Sequence, residues 1–495
     1  MDDGNGPRHV WRWAAIVAVA AFVSCMSLAD CRGLWLDEYI TLKSTQFDYG
    51  ALVTERLDAG HSPVYFIYAK LLLWNKGSEH ALRFTSALMA AINILTLTGF
   101  ALSLRLRRAL PALWLVALFM PYWLLIGTEY RYMMFLTAAV NAMLWLAMRY
   151  MERPGGRRGL ALAAMTAFVA WIHASAHLVI VLTAIFIAAE ARREKREFGA
   201  AIAAWPILAG WATAIPFLIR IAGHKSISKT SEPELGGMLA NFAETILGNM
   251  NSLSMRIGSF LNVLFALLLV FLVIAIIGSR RILIATGRKR AWRLLAVLLA
   301  GMPICFFAFC IGFKNHQGPV RYVATYAIPC AVCLAVYVSA AWDDRRLRPL
   351  ATAGAALLMI QAVLVGISPG EMLRETIRWI AASSRPQDTV LISQIRLPKW
   401  MFAREGFKNE IVGINRDEMD RNKIAAEVKK HSKPGGRGFC VLYHTRAPVR
   451  ETLKDMRKVG TVLDFRRVKV SGSVTLLVWI SSPTDSEWLE QVGAP

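Results

Sequence analysis

Charge is what this chain has least of. Asp, Glu, Lys and Arg make up only 18% of it, against 56% hydrophobic residues, and the mean hydropathy is +0.42. That balance excludes an ordinary water-soluble fold. Acidic residues are the scarcer half of the charge, 34 against 57 basic, for a formal net charge of +23. In a soluble protein this excess would point to nucleic acid, but its placement here argues otherwise, as shown below. Cysteine is scarce and scattered. Cys25, Cys305, Cys310, Cys330 and Cys333 fall within apolar runs, and only Cys31 and Cys440 lie outside them. A Cys31–Cys440 disulfide is open in an oxidising compartment. The spacing of Cys330 and Cys333 suits two small apolar side chains packing in a helix better than a metal or redox pair. The C-terminal quarter lacks a Gly-rich phosphate loop, a nucleophile elbow and a cluster of metal ligands. It reads as a lid or acceptor-docking platform without chemistry of its own.

What is present is hydrophobicity in blocks. Crossing the hydrocarbon takes roughly 20 residues of helix, and many of the apolar runs approach or reach that length. Backbone groups in lipid must be satisfied within each segment, so these runs are expected to be helices. The segments are 11–29, 82–104, 113–126, 132–148, 160–172, 173–189, 200–219, 257–277, 294–311, 320–341 and 350–367. They predict a polytopic α-helical protein with about eleven transmembrane helices. The pair meeting at His173 contains the shortest of the long-loop-free spans.

Basic clusters punctuate this pattern. Arg105, Arg107 and Arg108 follow one block, and Arg149, Arg153, Arg157 and Arg158 separate two others. Further clusters are at 192–196, 280–293 and 345–348. They fall in every second short loop, as the positive-inside rule requires of cytoplasmic loops. Topology therefore accounts for the basic balance, and no nucleic-acid partner is expected. Arg8 and Arg12 hold the start of the first span inside, so the N-terminus is expected in the cytoplasm and the C-terminus outside. The first span reads as an uncleaved anchor.

Three connections fall on the expected outer side: 31–80, 221–255 and everything after Ser368. The first contains an apolar stretch at 64–74 with polar flanks, which predicts helices lying at the interface. The last is a change of composition. Helical stretches at 371–382, 417–430 and 449–457 alternate with strand-like runs at 389–393, 410–414, 439–443 and 474–480. That alternation predicts an α/β layer fold large enough for its own core. The expected division is a transmembrane catalytic domain over 1–368 and a soluble periplasmic α/β domain over 369–495.

Four constellations carry chemistry, all on the expected outer side. Leu34-Trp35-Leu36-Asp37-Glu38-Tyr39 puts two carboxylates directly after an apolar helix, where acidic groups are costly and tend to have a task. Asp58-Ala59-Gly60-His61-Ser62-Pro63-Val64-Tyr65 sets a histidine before a proline-containing turn, which could present an imidazole or merely cap a helix. Glu129-Tyr130-Arg131-Tyr132 joins two span ends with a carboxylate and a guanidinium, as substrate groups or as a simple ion pair. The segment 314–322 places Lys314 and Arg321 where the charge rule disfavours cations, which points to an anionic partner such as phosphate or to snorkelling.

Taken in order, the LWLDEY, HSPVYF, ALRFTSAL, EYRYM and PVRYVATYAIP segments resemble the GT-C superfamily of integral membrane glycosyltransferases. The layout is most similar to lipid A aminoarabinose transferases and protein O-mannosyltransferases. One departure is His61-Ser62-Pro63, where that family commonly has His-Pro-Pro. The resemblance implies a sugar donor on polyprenyl phosphate and inversion at the anomeric carbon by direct displacement. It also implies a lipid, protein or glycan acceptor, membrane lipids as surroundings and a bacterial inner-membrane location. In that scheme Asp37 is the general base, Glu38 positions base or acceptor, and Glu129 is the second acid. Arg131 and Arg321, with Lys314, balance charge on the departing phosphate. His61, Tyr65, Arg83, Tyr132 and Tyr322 complete the implied substrate contacts. Some members use a divalent cation and others none; Asp37, Glu129 and His61 could supply ligands, though their spacing is no metal signature. Two other classes compete: a non-catalytic assembly or sensor protein, which would not need acidic residues at the membrane surface, and a transporter or flippase, which would place ionisable groups near the bilayer midplane. There the spans offer mainly His173 and His177, which are expected to line the cavity or pack between helices.

Overall fold

The computed structural model describes residues 7–29, 36–72, 79–195, 199, 203–222, 259–312, 324–367, 373–392, 401–403, 406–407, 411–413, 428, 430–431, 437–443, 464–469, 474–480 and 483–492. The chain divides into two compact units, one of Met1–Asp30 with Thr41–Ile367, the other of Cys31–Ile40 with Ser368–Pro495.

The first unit is helical because its apolar blocks leave the backbone no other partner than itself. In order come α1 (Pro7–Leu28), α2 (Leu36–Thr45), α3 (Tyr49–Asp58), α4 (Val64–Leu71), α5 (Glu79–Ser103), α6 (Leu110–Phe119), α7 (Pro121–Gly127), α8 (Tyr132–Glu152) and α9 (Gly156–Ala170). There follow α10 (Ala176–Arg193), α11 (Trp205–Ala212), α12 (Ile215–Ala222), α13 (Ser259–Ala285), α14 (Lys289–Gly312), α15 (Ala327–Asp343) and α16 (Arg348–Ile367). The unit division falls inside α2, between Ile40 and Thr41. Helix falls on every expected span, and α4 on the expected interfacial stretch. The differences lie in continuity. Among the described residues five helices are long and apolar enough to cross a membrane, or six if one bent pair counts as a single span. That pair is α6 and α7, expected as one run over 113–126 but bent by 57°. Pro121 is the cause. It carries no N–H and disfavours helical geometry at Met120, which is extended with φ −70° and ψ 113°. The run 200–219 is likewise split into α11 and α12, and the short pair meeting at His173 forms α9 and α10 with a turn at 171–175.

Packing follows the small and polar residues. α5 packs on α1 and α8. A methyl group at Gly99 would lie 2.6 Å from the Trp145 ring, so glycine allows that approach. Between the same helices buried Asn141 Nδ2 donates to Asn93 Oδ1 at 2.7 Å. Such side-chain bonds between membrane helices contribute about 0.6 kcal/mol on average. α15 is the most enclosed long helix and packs against α6, α13 and α16. At the end expected to be cytoplasmic, the buried Glu190 of α10 accepts two bonds from Arg293 of α14 at 2.5 Å. Arg290 bridges to Glu190 at 3.6 Å and also pairs with Glu194. Apolar side chains such as Ile16, Val19 and Val23 on α1 and Val270, Val273 and Ile277 on α13 remain exposed, as a hydrocarbon-facing surface requires.

The second unit contains α17 (Leu373–Ser383), β1 (Thr389–Ile392), β2 (Ile411–Gly413), β3 (Arg437–Tyr443), β4 (Asp464–Lys469), β5 (Val474–Ile480) and α18 (Ser486–Val492). The strands form one sheet in the order β2-β1-β3-β5-β4. β1 runs parallel to β2 and β3, while β3–β5 and β5–β4 are antiparallel. The four strand-like runs of the sequence are β1, β2, β3 and β5. β4 was not anticipated, because its Asp-Phe-Arg-Arg-Val-Lys sequence carries the charges of a sheet edge, where strands tolerate them. The helices expected at 417–430 and 449–457 lie outside the described residues apart from Val428 and Lys430. Buried Asp485 accepts from Arg437 Nη2 at 2.8 Å and pairs with Arg385 at 3.0 Å. Asp388 accepts from the Arg437 backbone at 2.9 Å, which ties β1 to β3 at their starts. Cys440, weighed above as a disulfide partner, is a free buried thiol in β3. Burial pushes its pKa up to about 12.

Two outcomes follow. Glu190→Gln is expected to lower stability by roughly 2 kcal/mol, because it leaves Arg293 without its counter-charge while that arginine keeps partial access to water; thermal unfolding of the purified protein measures it. Thiolate is the reactive form of cysteine, so at pH 8 Cys440 is expected to resist thiol reagents until the protein is denatured. Mass spectrometry of the Cys440 peptide reads this directly, and labelling in the native state would contradict the burial.

Candidate functional site

The segment with the most chemistry in the first unit is built where α4 meets the starts of α5 and α8. α3 ends in a turn in which the Ala59 N–H donates to Glu55 O at 2.9 Å and the His61 N–H to Arg56 O at 2.8 Å. Gly60 adopts φ +75°, a left-handed conformation that favours glycine. His61 then emerges exposed. Ser62 is buried, and its hydroxyl lies 3.4 Å from the Val64 N–H at the start of α4. Serine thereby offers a local acceptor at the turn, and Pro63 is the N-cap residue of α4.

α4 carries Tyr65 into an aromatic cluster. The Tyr65 ring lies 6.5 Å from Tyr130, 6.3 Å from Tyr132 and 6.0 Å from Phe135. Tyr68 stacks on Phe135 at 4.5 Å, and its hydroxyl donates to Thr85 O at 2.8 Å, locking α4 to α5. Burial first, then the neighbouring Tyr130, pushes the Tyr65 hydroxyl well above the usual phenol range; the charge of Arg131 opposes this. Tyr65 therefore stays a neutral phenol throughout the physiological range.

The turn between α7 and α8 brings the third constellation into this cluster. The Ser86 hydroxyl of α5 donates to Glu129 O and lies 3.4 Å from Arg131 O. The Arg131 N–H donates to Glu129 O at 2.8 Å. Arg131 is the extended N-cap residue of α8 and is only 7% exposed. Its guanidinium carbon lies 5.5 Å from the centre of the Tyr132 ring. His173, from the turn between α9 and α10, stacks on Tyr132 at 4.0 Å with an interplanar angle of 12°. The Ser175 N–H donates to His173 Nδ1 at 3.2 Å, so the neutral imidazole carries its proton on Nε2. Tyr132 is thus held by a cation and an imidazole. His177 packs separately, its Nδ1 accepting from Trp211 Nε1 at 2.9 Å.

The sequence candidates are distributed as follows. Tyr65, Tyr132, Arg131 and the main chain of Glu129 come together. His61 lies at the exposed turn. Arg83 is buried and donates to Ala29 O, the carbonyl just past α1, so this geometry gives it a helix-capping task. Glu38 is fully buried in the first turn of α2, where Asp37 precedes it; the Asp37 side chain lies outside the described residues. Lys314, Arg321 and Tyr322 also lie outside them. Among the described residues no group of three or more His, Cys, Asp or Glu is arranged to hold a metal ion.

Two residues escaped the sequence reading. Lys70 of α4 donates to Thr45 O at 2.9 Å and Phe47 O at 2.6 Å and lies 5.2 Å from the Tyr49 ring, closing the C-terminal end of α2. Buried Arg56 pairs with Glu55 and lies 4.9 Å from the Phe66 ring. Neither carried a signal, since a lone basic residue in an interfacial helix normally faces water. Lys70→Met is expected to free the Thr45 and Phe47 carbonyls. Amide exchange over 41–47 should then speed up, whereas Lys70→Arg should largely keep the protection.

No family model and no curated protein matches the sequence. Solved structures do. The oligosaccharyltransferase of Archaeoglobus fulgidus, crystallised with Zn and sulfate, is 12% identical with a TM-score of 0.52, covering 95% of this chain and 73% of that one. ArnT from Cupriavidus metallidurans in the apo state is 13% identical with a TM-score of 0.49, covering 94% of this chain and 97% of that one. The same enzyme bound to undecaprenyl phosphate gives 13% and 0.41, with 94% and 98% covered. Identities this low speak to architecture alone. The chain has the fold of the GT-C membrane glycosyltransferases, the fold that its LWLDEY, HSPVYF and EYRYM segments implied.

Proposed function

We propose that this protein is a membrane glycosyltransferase that moves a sugar from a polyprenyl-phosphate donor to a lipid, protein or glycan acceptor at the periplasmic face of the bacterial inner membrane, with inversion. The observation that carries this reading is Arg131. A guanidinium nearly buried beside Tyr132, whose ring in turn meets Tyr65 and His173, suits an anionic group arriving beside a sugar. In a site shielded from water a fixed cation stabilises developing negative charge strongly.

The chemistry is one displacement. Asp37 takes the proton of the acceptor hydroxyl or amine as that atom attacks the anomeric carbon. The bond from that carbon to the phosphate oxygen breaks, and polyprenyl phosphate leaves with the electron pair. Arg131, with Arg321 and Lys314, balances the charge of the leaving phosphate. Glu38 orients the base or acceptor, and Glu129 is the second acid. Tyr65 and Tyr132 offer ring faces and neutral hydroxyls to the sugar, while His61, Arg83 and Tyr322 are further candidates for substrate contact. Asp37, Glu129 and His61 would be the ligands of a divalent cation, whose charge would supplement that of the arginines.

The test is transfer of labelled sugar from a short-chain polyprenyl-phosphate donor into membrane extract by the purified protein. Asp37→Asn keeps shape and removes the base, so transfer should fall by at least about 10²-fold. Arg131→Gln should cost about 10²–10³-fold, and Arg131→Lys, which restores the charge but not the planar fork, should recover part of that. Equal transfer by wild type and Asp37→Asn would remove Asp37 as the base and leave Glu129 as the next candidate.

A further inference from the structure

The bend between α6 and α7 lies beside a cavity that the catalytic reading does not use. About 300 Å³ of non-protein space, part of it open to the surroundings, lies between α1, α5, α6, α7 and the start of α8. In a chain whose helices cross hydrocarbon, such a space would ordinarily be lined by aliphatic groups alone. This one is not.

Four of the residues that line it bear on polar chemistry. Trp123 lines the cavity, and its Nε1–H is buried without a hydrogen-bond partner. Asn93 lines it too, with its amide oxygen accepting from Asn141 Nδ2. Ala117 lines it as well, and its carbonyl is the one a continuous helix would pair with the N–H of residue 121, which Pro121 lacks. Ser24 borders the same space from α1. The unpartnered Trp123 N–H therefore borders a space it shares with Asn93, Ser24 and Ala117, where hydrocarbon offers it no acceptor, and an unsatisfied polar group in hydrocarbon is costly. A buried water needs two to four such partners, whereas an all-aliphatic cavity stays dry.

We infer that this cavity is an internal hydration site, holding water donated to by Trp123 and Asn93 and donating to the freed Ala117 carbonyl. The water completes the broken helix. It satisfies the backbone group that Pro121 orphans, and so permits the bend that leads α7 to the 129–131 turn. Breaks in membrane helices persist where waters or side chains take up the freed groups.

The test uses radical footprinting, in which hydroxyl radicals generated from bound water oxidise adjacent sulfur and indole groups. Met134 and Trp123 line the cavity, whereas Met143 is equally buried and does not. In the intact protein Met134 and Trp123 should be oxidised several-fold faster than Met143. Trp123→Phe, which keeps the ring and removes the donor, should bring Met134 down toward the Met143 rate. Ala90→Val, which pushes a methyl group into the cavity, should lower Tm by about 3 °C and should cost less when Trp123 is already Phe. Oxidation of Met134 no faster than of Met143, or a rise in Tm with Ala90→Val, would show a dry cavity better filled with hydrocarbon and would overturn the inference.

Discussion

The structure depends on one constraint: in hydrocarbon, every backbone N–H and C=O must find a partner inside the protein. It makes the apolar blocks helical regardless of their individual propensities. It also makes each interruption of a helix costly, and the interruptions are where this protein departs from a plain bundle. The bend at Pro121, the split of α11 from α12 and the turn at 171–175 each free backbone groups. Each lies next to side chains able to take those groups up or to exploit the space created.

The candidate site is assembled from such interruptions. Glu129 and Arg131 lie in the turn after the bent pair, and His173 lies in the turn between α9 and α10. Ser86, from an unbroken helix, anchors the first turn, and the stack of His173 on Tyr132 anchors the second. A rigid helix thus holds the irregular segments at their ends, which is how a site can be both polar and fixed at the edge of an apolar bundle. The same division explains why Arg131 can remain nearly buried. Its charge sits over an aromatic ring that also meets an imidazole and Tyr65, and contact with ring faces offsets part of the cost of taking the guanidinium out of water.

Some of this was legible from residues and spacing. The order of apolar blocks and basic loops determined a polytopic helical protein, and the change of composition after Ser368 determined where the strands begin. β1, β3 and β5 were visible because they are continuous apolar runs. β4 was not, because an edge strand may carry Asp464, Arg466, Arg467 and Lys469 and then resembles a solvated loop. Tyr65, Arg131 and Tyr132 were singled out by their order along the chain. Arg56 and Lys70 were missed because their partners, a ring and two carbonyls, depend on how α2, α3 and α4 fold back on one another.

The sequence by itself determined which segments are helices and which residues are chemically unusual for their depth, because hydrophobicity and charge are local properties. Only the tertiary structure decided that 113–126 is bent at Pro121, that Arg83 caps α1, and that His173 meets Tyr132. Those outcomes rest on contacts between residues far apart in the chain, such as Arg83 with Ala29 and Tyr132 with His173, and on where a proline removes a backbone donor. Local composition carries no record of such pairings, since the same residues could have been satisfied by water or by their own helix.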